Sequence, residues 1–234
     1  MTDHPMLYSA PMVRGLIREA QTPLTGKRQT RRLAKDQPPA GVTIIRKTIR
    51  PVDREPYHAF ERRTRYGNYG GDVPVKIKRG DRIWVREEFS GPSWFRPKID
   101  PPTSWPVGCD IWYWADGNPP YGEWTKPKRS IHMPRWMSRL TLTVTDVRIE
   151  RLQDISDAAA VAEGIEAKNI CGVGESWKHY GNPDAPVGWN DPRQSYATLW
   201  DSINGDGAWD ANPWIVAYTF TVHLGNIDQI GRAA

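Results

Sequence analysis

A lysine, a threonine and an arginine lie close together in the segment Lys27-Arg28-Gln29-Thr30-Arg31-Arg32. A threonine hydroxyl becomes a nucleophile when a neighbouring base takes its proton, and a lysine is such a base when its pKa falls. A guanidinium beside both, such as that of Arg32, can hold a carbonyl oxygen or an oxyanion. These residue types therefore suit the cleavage of an acyl bond. A basic surface turn is the alternative that the spacing alone favours.

The spacing also limits how these side chains can meet. In a strand, Lys27 and Thr30 project to opposite faces because strand side chains alternate. A turn at Gly26 could bring the two together, and Thr30 and Arg32 would then share one face of an extended segment. We therefore expect a turn followed by a strand.

The pattern Lys27-x-x-Thr30-x-Arg32 resembles the G-x-K-x-x-T-x-R signature of the ASCH superfamily, with Gly26 one place before the lysine instead of two. Residues 78–87 are similar to a strand of that family, and residues 152–165 resemble the short helix that follows its barrel strand. ASCH domains are small PUA-like proteins associated with RNA-related functions. The resemblance implies an α+β fold: a PUA-like mixed β-barrel of the ASCH type, with a few short helices and long irregular insertions.

Within the superfamily, the motif is closest to bacterial amidohydrolases that deacylate N4-acetylcytidine with a lysine, a threonine and a glutamate. The resemblance implies that Thr30 attacks the acyl group, that Lys27 takes the proton, and that Glu163 positions the lysine or protonates the leaving amine. Arg32 and Arg86 are the expected substrate contacts. The expected reaction converts a small modified nucleoside, an N4-acylcytidine, to cytidine and a carboxylate, with no cofactor and no metal.

Two alternatives remain open: a non-catalytic nucleic-acid-binding ASCH module, and a ribonuclease that uses the same site. Residues 14–65 contain 14 Lys and Arg but only 5 Asp and Glu, in a chain of net charge +5. Such a segment attracts phosphate through a field that does not depend on nucleotide sequence, so it predicts RNA contact. An ordinary solvated loop has the same composition.

The composition fits one domain over 1–234, with insertions at about 34–74, 90–130 and 168–190. Cys109 and Cys171 form no disulfide framework, which favours the reducing cytoplasm. The five histidines are scattered and form no zinc motif. No signal peptide or long apolar run is present, so we expect no membrane span. The oligomeric state stays open.

Local patterns predict several elements. Alternating leucine or valine and threonine over 139–152 predicts a half-buried strand, and residues 214–224 alternate in the same way. Ser156 is expected to cap a short helix that ends at Gly164, and Asp191-Pro192 to begin another. The aromatic residues of 90–130 are expected to form mostly a local core, although such rings also stack on bases.

Overall fold

The computed structural model describes residues 1–50, 52, 57–94, 110–168, 176–182, 184–185 and 188–231. These residues form a mixed α+β fold, which confirms the predicted class and its few short helices. The α-helices are α1 (Ala10–Gln21), α2 (Asp157–Ala162) and α3 (Pro192–Asn204). The strands are β1 (Asp3–Leu7), β2 (Gln29–Leu33), β3 (Thr43–Ile49), β4 (Tyr57–Arg63), β5 (Tyr69–Asp72), β6 (Arg82–Arg86), β7 (Phe89–Ser90), β8 (Trp112–Tyr113), β9 (Leu140–Arg151) and β10 (Trp214–Leu224).

The described strands form three sheets. The largest has the hydrogen-bonded order β1-β6-β9-β10-β2, and the others have the orders β3-β4-β5 and β7-β8. Because β1 and β2 end the largest sheet, the described strands do not close into a barrel, and the PUA-like barrel is not confirmed. No helix in the described ranges is long and apolar enough to cross a membrane.

The chain divides into two compact units, and the first comprises residues 1–26, 80–143 and 221–234. In this unit β1 pairs in parallel with β6, and β6 pairs antiparallel with β9. The apolar run Ile83-Trp84-Val85 is buried, as its sequence predicts for a central strand. Helix α1 begins after Ser9 with Pro11 in its first turn, and it buries Val13 and Leu16.

The described aromatic residues of 90–130 also belong to the first unit, and several pack within it. The Tyr113 hydroxyl donates to the Met137 carbonyl at 2.8 Å, and Trp114 Nε1 donates to Ser90 Oγ at 2.9 Å. Trp94 and Tyr121 are exposed. The described ranges do not include Cys109, Cys171 or the aromatic residues Phe95 and Trp105.

The second unit comprises residues 27–79 and 144–220. Here β2 pairs antiparallel with β10, and α2 and α3 pack on a core that includes Leu152, Tyr196 and Trp200. Both helices begin as their sequences predict. Ser156 Oγ accepts a hydrogen bond from Ala159 N at 3.3 Å, and Asp191 Oδ1 accepts one from Arg193 N at 2.7 Å.

The segment 34–74, which was predicted to be an insertion, contains regular structure in its described part. Strands β3, β4 and β5 form an antiparallel sheet within the second unit. Only Ile44 of β3 is buried, so the sheet lacks the alternation of apolar and polar residues that would have predicted it. Backbone pairing joins the three strands, Phe60 of β4 is buried, and Lys47 and Glu61 form a cross-strand ion pair at 2.6 Å.

Candidate active site

Two backbone hydrogen bonds fix the segment that contains the motif. Arg28 N donates to the Ala162 carbonyl at 2.9 Å, and Phe220 N donates to the Arg28 carbonyl at 3.0 Å. The first bond ties the start of β2 to the end of α2, and the second extends the pairing of β2 with β10. Lys27 is thereby held next to Glu163, the residue that follows α2.

Lys27 and Glu163 form a buried ion pair. Lys27 is 0% exposed, and its Nζ donates to Glu163 Oε2 at 2.7 Å and to the Glu163 backbone carbonyl at 2.7 Å. The other carboxylate oxygen, Oε1, accepts from Arg31 Nη1 at 2.9 Å. Arg31 Nη2 in turn donates to Glu150 Oε1 at 2.8 Å. The four side chains alternate in charge, from Lys27 through Glu163 and Arg31 to Glu150.

Burial and charge act on this pair in opposite directions. Burial lowers the pKa of Lys27 below its ordinary value, and the Glu163 carboxylate offsets that effect only in part. Burial raises the pKa of Glu163, but the charges of Lys27 and Arg31 outweigh it, so the net shift is downward. Glu163 therefore stays ionised, while Lys27 loses its proton more readily than a solvated lysine.

Buried charged groups are weak evidence for stability, because desolvation can exceed the attraction between them. Strongly shifted pKa values also cluster at functional sites. We therefore take Lys27, Glu163 and Arg31 as the centre of the candidate site.

Thr30 lies in β2, 2% exposed and directly opposite Tyr218 of β10. It leaves the strand on the face opposite to Arg31, because adjacent strand side chains alternate. Among the described residues, no hydrogen bond joins the Thr30 hydroxyl to Lys27. The structure thus brings Lys27 and Glu163 into contact and leaves Thr30 outside that contact.

The two predicted substrate-binding arginines lie in different units. Arg32 is half-buried in β2, and strand alternation puts it on the face of Thr30. Burial raises the pKa of nearby Tyr218 to about 12, and the charge of Arg32 opposes that rise. Arg86 lies in β6 of the first unit, where its Nη2 donates to the Ile131 carbonyl and its guanidinium lies 5.2 Å from the Trp84 ring centroid.

Sequence reasoning missed the structural roles of Arg31 and Glu150. Arg31 directly binds the Glu163 carboxylate, through Nη1 and Oε1 at 2.9 Å. Lys27, Gln29 and Arg31 are spaced by two, so an extended segment directs them to one face. That spacing was the available signal. No pattern in the sequence near Arg31 predicts its contact with Glu150, which lies 119 residues away in the sequence.

A cavity of about 390 Å³ lies in the second unit, beside this network. Two residues of the network, Arg31 and Glu150, contribute to its wall. No three described His, Cys, Asp or Glu side chains come together in a way that could hold a metal ion. The remaining lining residues are Arg28, Gln29, Arg148, Asp154, Ser156, Ala158, Ala159 and Ala162.

Gly164 supports the position of Lys27 and allows a direct test. It ends α2 with a φ of +87°, and a Cβ at this position would lie 2.8 Å from Lys27 Cβ. We expect Gly164→Ala to lower the free energy of unfolding by about 1 kcal/mol for the left-handed backbone, and by roughly 1–3 kcal/mol more for the overlap. Urea unfolding measures both effects together.

Gly80→Ala is the matched control, because Gly80 has the same φ of +87° and no atom within 4 Å of the added Cβ. Equal losses at the two glycines would mean that the Lys27 side chain moves aside without cost.

The chain matches no protein-family model, no curated protein and no solved structure.

Proposed function

We propose that this protein is an ASCH-type, PUA-like hydrolase that cleaves the N4-acyl amide of an acylated cytosine nucleoside in the cytoplasm. The main support is the fully buried Lys27, hydrogen-bonded through Nζ to Glu163 Oε2 at 2.7 Å. These are the two residues to which the motif resemblance assigns the base and the carboxylate. They lie 136 positions apart in the sequence, so no spacing within a single segment could have predicted their contact.

In the proposed reaction, neutral Lys27 takes the Thr30 proton while the hydroxyl oxygen bonds to the acyl carbon. The tetrahedral intermediate then breaks its bond to N4, and the departing nitrogen receives that proton to give cytidine. Water hydrolyses the acyl-threonine, which releases the carboxylate and restores the hydroxyl. Glu163 holds Lys27 in place, and Arg32 is the candidate partner for the oxyanion.

A variant of this mechanism follows from the geometry of Thr30. Because no described hydrogen bond joins Thr30 to Lys27, a water molecule activated by Lys27 is the second route to the same products. That route needs no covalent intermediate. The two routes differ in whether the threonine hydroxyl is required.

The pH dependence of the reaction tests the role of Lys27. A lysine that accepts a proton must be neutral, so the rate rises with pH through the lysine pKa. Burial lowers that pKa below the ordinary 10.5, so we expect the rise to be centred below 10.5. The measurement is kcat/KM for N4-acetylcytidine against pH. A rate that falls through the alkaline range in the folded protein would contradict a lysine base.

The basic segment 14–65 supports the nucleic-acid-binding alternative less than its excess of Lys and Arg suggests. Several of its cations in the β3–β5 region are paired with carboxylates, which reduces the charge available to phosphates. These ion pairs are Arg46–Asp146, Lys47–Glu61, Arg62–Asp36 and Arg63–Glu61.

The decisive experiment incubates the purified protein with N4-acetylcytidine and measures cytidine by chromatography at several salt concentrations. Because the nucleoside has no phosphate, we expect its hydrolysis to change little with salt. Binding of single-stranded RNA through Lys and Arg would weaken as salt is added. The logarithm of its association constant would fall against the logarithm of the salt concentration with a slope of about −0.7 per neutralised phosphate. No cytidine production, together with salt-sensitive RNA binding or cleavage, would favour the binding module or the ribonuclease.

A further inference from the structure

The cavity beside the Lys27–Glu163 network contains unused hydrogen-bond donors. Arg28 Nη1 and Arg31 Nε are buried and have no hydrogen-bond partner among the described residues, and both side chains line the cavity. Buried donors are nearly always bonded to protein, water or ligand, so each one requires an explanation. The other buried side-chain atoms without a partner in the described residues are arginine Nε or indole nitrogens. Arg28 Nη1 is therefore the only terminal guanidinium nitrogen among them.

The arginines that line the cavity differ in whether they form an ion pair with a carboxylate. Arg31 and Arg148 both donate to Glu150, at 2.8 and 3.3 Å. Arg28 forms no ion pair within the described part of the chain. Asp154 also lines the cavity, but it is exposed and water screens its charge. The wall thus has three arginines and two carboxylates, and the charge of Arg28 is left without a partner.

We propose that this cavity binds an oxyanion of the phosphate type, with Arg28 as its principal contact and Arg31 Nε as a second donor. A phosphate offers several acceptor oxygens in different directions, so it can bind donors from separate side chains. A carboxylate has only two acceptor oxygens, and both lie in one plane. The volume of about 390 Å³ exceeds that of one phosphate group, so the rest of a small phosphate monoester also fits.

This site is distinct from the proposed chemistry at Thr30. Arg28 and Arg31 line the cavity, whereas Thr30 is not among its lining residues. The bound anion is therefore not the acyl group that Thr30 would attack. The proposal stands whether or not the protein hydrolyses N4-acetylcytidine.

The test titrates the full chain with inorganic phosphate at constant ionic strength and follows backbone amide shifts by NMR. We expect saturable binding that perturbs the start of β2 and the residues around Ser156. Arg28→Gln should weaken it by about 10-fold to 100-fold, the range for losing a hydrogen bond from a charged donor. Arg28→Lys keeps the charge and most of the side-chain length, so its phosphate affinity should lie between those of the parent protein and Arg28→Gln. This variant controls for a folding defect in Arg28→Gln.

Arg65→Gln is the control, because Arg65 is exposed in the same unit and does not line the cavity. We expect it to leave phosphate affinity unchanged. Absence of saturable binding would overturn the proposal, and so would equal weakening by Arg28→Gln and Arg65→Gln.

Two further titrations identify the ligand. Acetate that binds as tightly as phosphate would overturn the phosphate assignment. Cytidine 5′-monophosphate that binds more tightly than inorganic phosphate would support the proposal and identify a mononucleotide as the ligand. Equal affinities for the two would support free phosphate.

Discussion

Replacing Lys27 by methionine is expected to reduce turnover of N4-acetylcytidine by a factor of about 10²–10⁴, the usual contribution of a general base. Methionine keeps the unbranched side chain and removes the ammonium group. The fully buried position has a second consequence, since the substitution leaves Glu163 buried with Arg31 as its one charged side-chain partner among the described residues. Breaking a buried ion pair in this way costs about 3–5 kcal/mol. Activity must therefore be measured at temperatures at which the variant is shown to be folded.

Two controls separate catalysis from stability. The double variant Lys27→Met/Glu163→Gln removes both charges, and we expect it to be more stable than the sum of the single losses implies. Lys178→Met removes one partner of a half-exposed pair, Lys178–Glu166 at 2.9 Å, and should change stability by less than about 1 kcal/mol. Turnover of folded Lys27→Met within a few-fold of the parent would exclude Lys27 as the base.

Replacing Thr30 by valine is expected to abolish almost all amidase activity, while Thr30→Ser keeps a measurable part of it. Valine preserves the branched shape and the preference for a strand but lacks the hydroxyl, whereas serine keeps the hydroxyl and loses a methyl group. Thr30 is 2% exposed in β2, so both variants should be checked by urea unfolding. Mass spectrometry of quenched reactions should detect an acyl group on the Thr30 peptide if deacylation is slow.

Full activity of Thr30→Val would exclude the nucleophile and favour the water activated by Lys27. Loss of activity in both the Val and the Ser variant would mean that the hydroxyl and the methyl group of Thr30 are both needed, and the absence of an acyl adduct would then leave the nucleophile assignment without support.

The local sequence was sufficient to predict the helices whose ends are marked by capping residues or glycines. Ser156 and Gly164 bound α2, and Asp191-Pro192 begins α3, because caps and left-handed glycines act within a few residues. The alternation over 139–152 likewise predicted β9. Strands β4 and β5 were missed because their sequence shows glycines and charges without alternation. Their pairing depends on partners that local patterns do not encode.

The candidate site likewise contains residues that the sequence predicted and contacts that it did not. The spacing of Lys27, Thr30 and Arg32 was visible in one segment, and Glu163 was reached only through the resemblance. The link from Arg31 to Glu150 depends on how β2 and β9 come together, and no spacing within either segment predicts it. The separation of Thr30 from the contact between Lys27 and Glu163 follows from strand alternation, which the expected turn at Gly26 did not override.

The complete burial of Lys27 determines which reagents can reach it. With Lys27 at 0% and Thr30 at 2% exposure, an acyl group approaches either residue only when the surrounding structure opens locally. An amine-reactive label should therefore modify Lys27 far more slowly than an exposed lysine such as Lys35, at a rate set by that opening. The same opening would set an upper limit on turnover, so labelling of Lys27 and hydrolysis should respond in parallel to temperature and denaturant.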